Sequence, residues 1–512
     1  MPQDKQKRKT PSIEKSQDTI PFPLRGIING YGKVATERRI IINKLAKLDT
    51  TVKQYKPAKN IKNHLDQKRI GLYRPTERRK CVTADMEIID YFYKELKCVP
   101  PGFLEAGPRE NLYFKPQEVR IGIVTPGGIA PGLNTVVHCI VNMHTLYGMK
   151  KDAFGFLGGF RGIAETHQEK LTLTPKETKD WIHKGGTELC TSREKQEISR
   201  MAESLQDLGV NILYVVGGDG SLTAAHLIAQ EIDMKNIVVR GKKIVVAGIP
   251  KTMDNDILWV WHSFGFDTAV EEATKAINAI HADAKSTERI CIMQLFGRDA
   301  GFVSAHATLA SGQVDAVLVP EIGFNMGPLL DYIQEKVEDN NYALVVVAEG
   351  AGPKEYTENY VHDLLGKEGY DRSDPSYRTN PRVNEALAEG KLIFLRDKFK
   401  ERFSSFRNGR HAVFVSQPRH LIRAVPANSI DQIYCQRLAD LAVHNTLAGF
   451  TDFMISQWLT EYVLVPLKLV AEEIDPNDPM GQKRQTKKIP PGGIFWTTVI
   501  SSTGQPSFEL ND

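Results

Sequence analysis

A chain of 512 residues, 41% hydrophobic and 25% charged with a net charge of +4, has an ordinary globular balance and is long enough for roughly two to four domains. The charge is small and no long basic block occurs, so nucleic acid is not an expected partner; KQKRK at residues 5–9 reads as a solvated tail. No apolar stretch approaches the ~20 residues of a membrane span, MPQDKQKRKTPSIEKSQD has no apolar signal core, and FELND is no peroxisomal address, so a cytoplasmic protein is expected.

Residues 1 to about 115 are charged and punctuated by Pro, with few strand signals; ATERRIIINKLAKLDTTVKQY and ADMEIIDYFYKELKCV are helix candidates. Near Gln117 the character changes. VRIGIVT (119–125), NILYVVGG (211–218), KKIVVAGI (242–249), RICIMQLF (289–296) and YALVVVAE (342–349) are Val/Ile-rich and unalternating, as strands buried on both faces should be. Between them EISRMAESLQDLGV and DTAVEEATKAINAIHADAKS carry helical patterns, and this alternation predicts a parallel α/β sheet. NPRVNEALAEGKLIFLRDKFKERFSSF (380–406) breaks the rhythm with a long helical segment. The stretch TDFMISQWLTEYVLVPLKLVAEEIDPNDPMGQKRQTKKIPPGG reads as helix-to-strand followed by a polar insertion. The cysteines (81, 98, 139, 190, 291 and 435) form no C-x-x-C, which fits reduced thiols without disulfides or zinc; Cys139, Cys291 and Cys435 lie in apolar runs and read as core.

Three strands run into small and polar residues. VRIGIVT meets PGGIAPGLNT, YVV meets GGDGS, and IVVAGI meets PKTMDND. The carboxyl ends of strands line the ligand crevice of open α/β sheets. Glycines there let backbone N–H groups approach an anion, helped by the following helix start. There is no G-x-x-x-x-G-K-[ST], so any phosphate site is not of the Walker type. Asp254 and Asp256 lie two residues apart at a strand end, where an unpaired buried carboxylate costs several kcal/mol, roughly. Phosphoryl transfer explains such a pair: one carboxylate accepts a proton while another is held by Mg²⁺, with cations around the moving group. The plain alternative is an Asp-rich turn capping a helix. Arg193, Arg289, Arg298, Arg419 and Arg423 supply planar forks suited to phosphate, although a lone Arg is more often a surface ion-pair partner.

GGIAPGLNT, GGTELCTSR, GGDGS, PKTMDND, SFGFDTAVEEATKAINA, FGRDAGF and IRAVPAN resemble, in order and approximate spacing, the phosphofructokinase family over roughly Val119 to Phe508. The resemblance implies transfer of a phosphoryl group to the 1-hydroxyl of fructose 6-phosphate, in glycolysis, with Mg²⁺ as cofactor. Its fold would be α/β: two Rossmann-like lobes with mostly parallel sheets and the active site in the cleft between them. The donor lobe would hold 118–265 with about 431–480, the sugar-phosphate lobe 266–430 with about 481–512, and 1–117 would form an N-terminal extension domain. By motif, Asp254 resembles the general base, Thr252 a ligand of the moving phosphoryl group, Asp256 a metal-holding and orienting residue, and Asp219 the Mg²⁺-linked carboxylate. Gly127, Gly128, Arg193, Gly218, Gly220 and Ser221 would meet the donor. Lys251, Phe296, Gly297 and Arg298 would lie at the substrate, with Arg298 beside the 1-position. Glu349 resembles a sugar-hydroxyl contact, and Arg423 the grip on the 6-phosphate. Arg289 resembles an arginine that reaches the neighbouring subunit's site, which implies an oligomer, commonly an allosteric homotetramer.

The pyrophosphate-using branch usually reads GGDD where Gly220 stands here, and that extra carboxylate fills the place of the ATP α-phosphate. Gly220 leaves room. Lys251 resembles the pyrophosphate branch, but a long Lys can swing aside, so ATP is the expected donor and pyrophosphate the alternative. Glu194 departs from the usual Gly and puts a negative charge beside a proposed phosphate ligand. Phe296 stands for the usual Met, Cys190 for Gly, and His420 for Tyr. A lipid or NAD kinase would share GGDG but not PKTMDND. A non-catalytic regulatory subunit would not need Asp254, Asp219 and Arg298 intact.

Overall fold

The structure, a computed structural model, describes residues 41–65, 72–75, 77–150, 152–165, 170–374, 376–404, 412–472 and 485–509. KQKRK, the start of the first helix candidate and most of the polar insertion lie outside the described residues. The chain divides into two compact units, Met1–Asp49 with Cys81–Gly102, and Thr50–Lys80 with Phe103–Asp512. In the first, residues 41–46 are helical. A second helix, Met86–Lys94, starts where Asp85 accepts the N–H groups of Glu87 and Ile88, and buries Ile88 and Phe92 one turn apart.

The strands in chain order are β1 Lys53–Gln54, β2 Arg79–Cys81, β3 Gly102–Glu105, β4 Ile121–Val124, β5 Ala153–Phe156, β6 Lys170–Thr172, β7 Ile212–Gly217, β8 Val238–Val239 and β9 Lys242–Lys243. They continue with β10 Val245–Pro250, β11 Ile290–Leu295, β12 Ala316–Leu318, β13 Ala343–Ala348, β14 Val413–Ser416, β15 Phe450–Thr451, β16 Phe453–Trp458 and β17 Glu461–Pro466. Every Val/Ile-rich run of the sequence supplies a strand buried along its whole length: β4, β7, β10, β11 and β13. KKIVVAGI, however, is split, because Lys242–Lys243 pairs with Val238–Val239 as a small hairpin before β10 begins.

Nine strands form one sheet in the order β2-β3-β17-β16-β10-β7-β4-β5-β6, and four form a second, β12-β13-β11-β14. The second sheet is wholly parallel. The first is parallel from β16 to β5 and antiparallel at its flanks. Helices Leu133–Leu146 and Ser429–Leu447 share the core of the large sheet, where Cys139 and Cys435 are buried; Cys291 is buried in the core of the smaller. All six cysteines are free thiols.

The helix-to-strand reading of residues 451–471 is corrected. This stretch is an antiparallel hairpin, β16 and β17, followed by the short helix Lys468–Ala471. A two-residue turn joins the strands, with Leu459 at φ 55°, a conformation that Leu does not advertise. The expected long helix at 380–406 is two helices, Pro381–Ala388 and Gly390–Phe403.

Register places the chemistry. Pro250 stands opposite Gly217 in the β10–β7 pair, and Val124 opposite Val215 in the β4–β7 pair. The loops PGG, GDGS and KTMDND therefore leave one edge of one sheet side by side. In the second sheet Leu295 is level with Ala348, and Met293 with Ser416. That brings FGR, Glu349 and the helix Arg419–Arg423 to a common edge.

Candidate active site

At the edge of the large sheet, Lys251 continues β10 by donating its N–H to Gly217 O at 3.0 Å. Its side chain is buried, and Nζ donates to the Gly128 carbonyl. A methyl group placed on Gly127 would lie 3.5 Å from Ser221 Oγ and 3.8 Å from Lys251 Nζ; one on Gly128 would lie 3.5 Å from Arg193 Nη2. Gly127, Gly128, Arg193, Ser221 and Lys251 thus converge on one small volume. Loop 185–193 is tied there by Gly127 N–H to Ser192 O at 3.0 Å and Thr191 Oγ1 to Gly127 O at 2.6 Å. Burial, then the charge of Arg193, push the Lys251 ammonium down to about 8, while Asp219, Asp254 and Asp256 pull it back up. Glu194 faces Arg161 at 3.6 Å, so its charge has a partner.

Asp219 opens the helix Asp219–Met234 directly after Gly218, and a Cβ at Gly220 would meet nothing within 4 Å. Asp219 acts electrostatically on Lys251, Asp256 and Arg298, which places it at the centre of the group.

The catalytic-loop candidates are built around Thr252. Its Oγ1 accepts the Asp254 N–H at 3.1 Å and donates to Asp256 Oδ1 at 2.8 Å, while its carbonyl accepts Ser263 Oγ at 2.6 Å. Asn255, between the two carboxylates, is left-handed at φ 53°. Burial raises the Asp254 carboxyl, and the charges of Asp256 and Glu349 raise it further; Arg298 opposes them through its guanidinium and its backbone N–H. Asp256 is likewise raised by burial and by Asp219 and Asp299, against its bond from Thr252. These carboxylates are short of positive charge, and hard oxygen donors in that condition suit Mg²⁺, which binds through one or two carboxylates and substrate phosphates. Asp219 and Asp256 are therefore chemically fit to hold it. Among the described residues, His262, Asp267 and Asp431 also approach one another closely. Asp431 is consumed there as a helix cap, accepting Gly265 N–H, Thr268 N–H and Thr268 Oγ1.

The second edge carries the remaining candidates. Gly297 has φ 128°, and a Cβ there would lie 2.6 Å from Ala300 O; one on Gly350 would lie 1.8 Å from Arg298 O. Both glycines let the Arg298 turn press against the turn after Glu349. The Arg298 side chain is 78% exposed, pairs with Asp299 at 3.3 Å and feels the charges of Glu349 and Asp219. Gln294, Leu295, Phe296, Glu349, Arg419 and Ile422 line a small cleft. Arg423 stacks over Phe296, 5.8 Å from the ring centre, and its Nε is buried with no hydrogen-bond partner among the described residues. Arg289 stands apart. It precedes β11 and so lies at the opposite end of that strand from Arg298, 42% exposed, with Asp283 at 4.0 Å.

Sequence reasoning missed Gln294, whose Oε1 receives Gln417 Nε2 at 2.7 Å and Arg419 at 3.5 Å, and it missed Lys487, which bonds the Asp254–Asp256 loop from far down the chain. Gln294 lies inside an apparent strand. Lys487 lies in a loop without motif spacing.

The two edges bring carboxylates, guanidinium groups and glycine turns together, an arrangement suited to phosphoryl transfer. A sequence model described as Phosphofructokinase matches residues 120–446. The chain is 36% identical over 412 residues to ATP-dependent 6-phosphofructokinase 4, chloroplastic, of Arabidopsis thaliana, covering 79% of this chain and 71% of that one. It is 36% identical over 414 residues to an ATP-dependent 6-phosphofructokinase of Borreliella burgdorferi, covering 78% of this chain and 85% of that one. A solved pyrophosphate-dependent phosphofructokinase from Marinobacter aquaeolei shares the fold, with a TM-score of 0.58 at 20% identity over 77% of this chain and 94% of that one. The chain belongs to the phosphofructokinase family.

Proposed function

We propose that the chain is an ATP-dependent 6-phosphofructokinase, moving the γ-phosphoryl group of ATP to the 1-hydroxyl of fructose 6-phosphate. One observation carries this most directly: Asp254, Thr252 and Asp256 form a single bonded loop that faces Arg298 and Glu349 across the two sheet edges. In this reading Asp254 takes the proton of the attacking hydroxyl. Its raised carboxyl suits the task, because a base works best with a pKa near the working pH. Thr252 orients Asp256 and is placed to bond the moving phosphoryl group. Arg298 swings onto developing charge from its exposed position, and Lys251, Arg193 and the Gly127–Gly128 turn receive donor phosphates. When bound, Mg²⁺ would supply charge neutralisation at donor oxygens, held by Asp219 and Asp256. Arg423, with an unpartnered Nε, grips the 6-phosphate, and Glu349 accepts from a sugar hydroxyl.

A Cβ added at Gly220 meets nothing within 4 Å, so the glycine leaves room beside the donor loop, and this supports ATP over pyrophosphate. Arg289 lies at the opposite end of β11 from Arg298, which supports a role at a neighbouring subunit's site in a homo-oligomer, for which we propose a tetramer. No helix among the described residues is long and apolar enough to cross a membrane. The chain's likeness to bacterial enzymes supports a cytoplasmic location. The test is a coupled assay with fructose 6-phosphate and Mg²⁺, supplying ATP and pyrophosphate in turn. Turnover with ATP supports the reading; turnover with pyrophosphate alone reverses the donor, and turnover with neither removes the function.

A further inference from the structure

We infer that Lys487 is a positioning residue for the Asp254–Asp256 loop, and that segment 485–489 is a strap joining this loop to the Arg298 turn. The inference rests on the kinase reading above. Lys487 Nζ donates to Asn255 Oδ1 at 2.9 Å, Val260 O at 2.8 Å and Trp261 O at 3.1 Å. An ammonium has three donors, and all three are used. The backbone N–H of Lys487 donates to Asp256 O at 2.7 Å. Four bonds therefore reach residues 255–261 from a residue 232 positions away from Asn255. The ammonium also lies 5.3 Å from the centre of the Phe302 ring, which shields it on one side.

Two residues further on, Ile489 N–H donates to Glu321 Oε1 at 3.0 Å, and the same carboxylate accepts Gly301 N–H at 3.0 Å. Gly301 ends the turn that begins at Gly297 and contains Arg298, and it caps the helix Phe302–Ser311. One extended segment thus fastens both the carboxylate loop of the first edge and, through Glu321, the guanidinium turn of the second.

The loop needs such a tie. Asn255 adopts a left-handed conformation, which costs an L-residue energy unless its surroundings fix it. Its side-chain oxygen is gripped by Lys487, with Ser263 Oγ at 3.4 Å. Releasing Asn255 frees the one residue between Asp254 and Asp256. Lys487 bonds an amide and two carbonyls rather than a carboxylate, so it touches no reacting atom; it holds the backbone of the loop, and its charge also acts on Asp256.

The test is steady-state kinetics of the full chain with Lys487→Met, which keeps length and removes the donors and the charge. Because a misplacement of about 1 Å can cost about 100-fold, kcat should fall about 100-fold, with the KM values for fructose 6-phosphate and ATP within about threefold of wild type. Lys94→Ala, an exposed lysine outside the strap, should lose nothing. Should Lys487→Met fail to fold, Lys487→Gln, which keeps a donor for Asn255, is measured in the same way. A kcat per folded molecule within about twofold of wild type, or a raised KM with kcat unchanged, overturns the inference. An inactive wild-type chain would instead remove the kinase reading, so the two failures are distinguishable.

Discussion

Gly220→Asp separates donor choice from folding. Gly220 is the second residue of the helix Asp219–Met234, and an added Cβ meets nothing within 4 Å. Glycine inside a helix costs about 0.5–1 kcal/mol against alanine, and a carboxylate in the first helical turn gains about 0.3–1 kcal/mol. Asp has a lower helix propensity than Ala, which offsets part of this, so folding stability should move by less than about 1 kcal/mol. The donor feels the new charge more strongly. Two unit charges about 4 Å apart interact by about 4 kcal/mol at an effective dielectric of about 20, before solvent screening at this exposed position. Discounted to about 1.5–3 kcal/mol, that is a 10- to 100-fold loss in kcat/KM for ATP, roughly. Activity with pyrophosphate, which has no α-phosphate to displace, should change far less. The assay is the coupled reaction with each donor, beside a thermal melt. Equal losses with both donors would refute the crowding argument, and a melt lowered by more than about 5 °C would refute the claim of open space.

Asp254→Ser should lower kcat by at least about 10²–10³, the range expected for a lost general base, while fructose 6-phosphate binding by calorimetry persists; near-normal turnover would remove Asp254 as the base. Because its carboxyl is raised, the acidic limb of the kcat/KM profile should lie above the usual carboxylate range, and Asp256→Asn should move it to lower pH by removing a charge that raises it. The same shift has a stability sign. Between the unfolded and the raised folded value the native state binds more protons, so Asp254 costs stability as pH rises through that window, and Asp254→Asn should raise the thermal midpoint more at pH 8 than at pH 5. Arg289→Ala should raise the KM for fructose 6-phosphate and be complemented in mixed oligomers; an unaffected KM would argue against a shared site.

The parallel core was legible because strands covered on both faces leave unbroken Val/Ile runs, and β4, β7, β10, β11 and β13 are such strands. The β16–β17 hairpin was not, because a continuous apolar run fits helix or strand alike and the turn at Leu459 carries no Gly or Asn. Short strands such as β5, Ala-Phe-Gly-Phe, announce nothing until a neighbour supplies the ladder. In the site, residues that follow a strand directly could be read, because strand ends and register bring them together. Lys487 could not, since its partners are set by folding across the chain, and neither could the pairing of Glu194 with Arg161.

The position of β16 beside β10 has a consequence for biogenesis. During translation β10 is complete long before its partner exists, and at about 5–20 residues per second the ribosome needs roughly 10–40 s to make the intervening chain. For that interval the edge Val245–Pro250, six buried residues in the finished enzyme, stands open to other nascent chains. Premature termination ahead of Phe453 would make the exposure permanent, so truncated products should be chaperone clients and aggregate even though every motif up to IRAVPAN has been made.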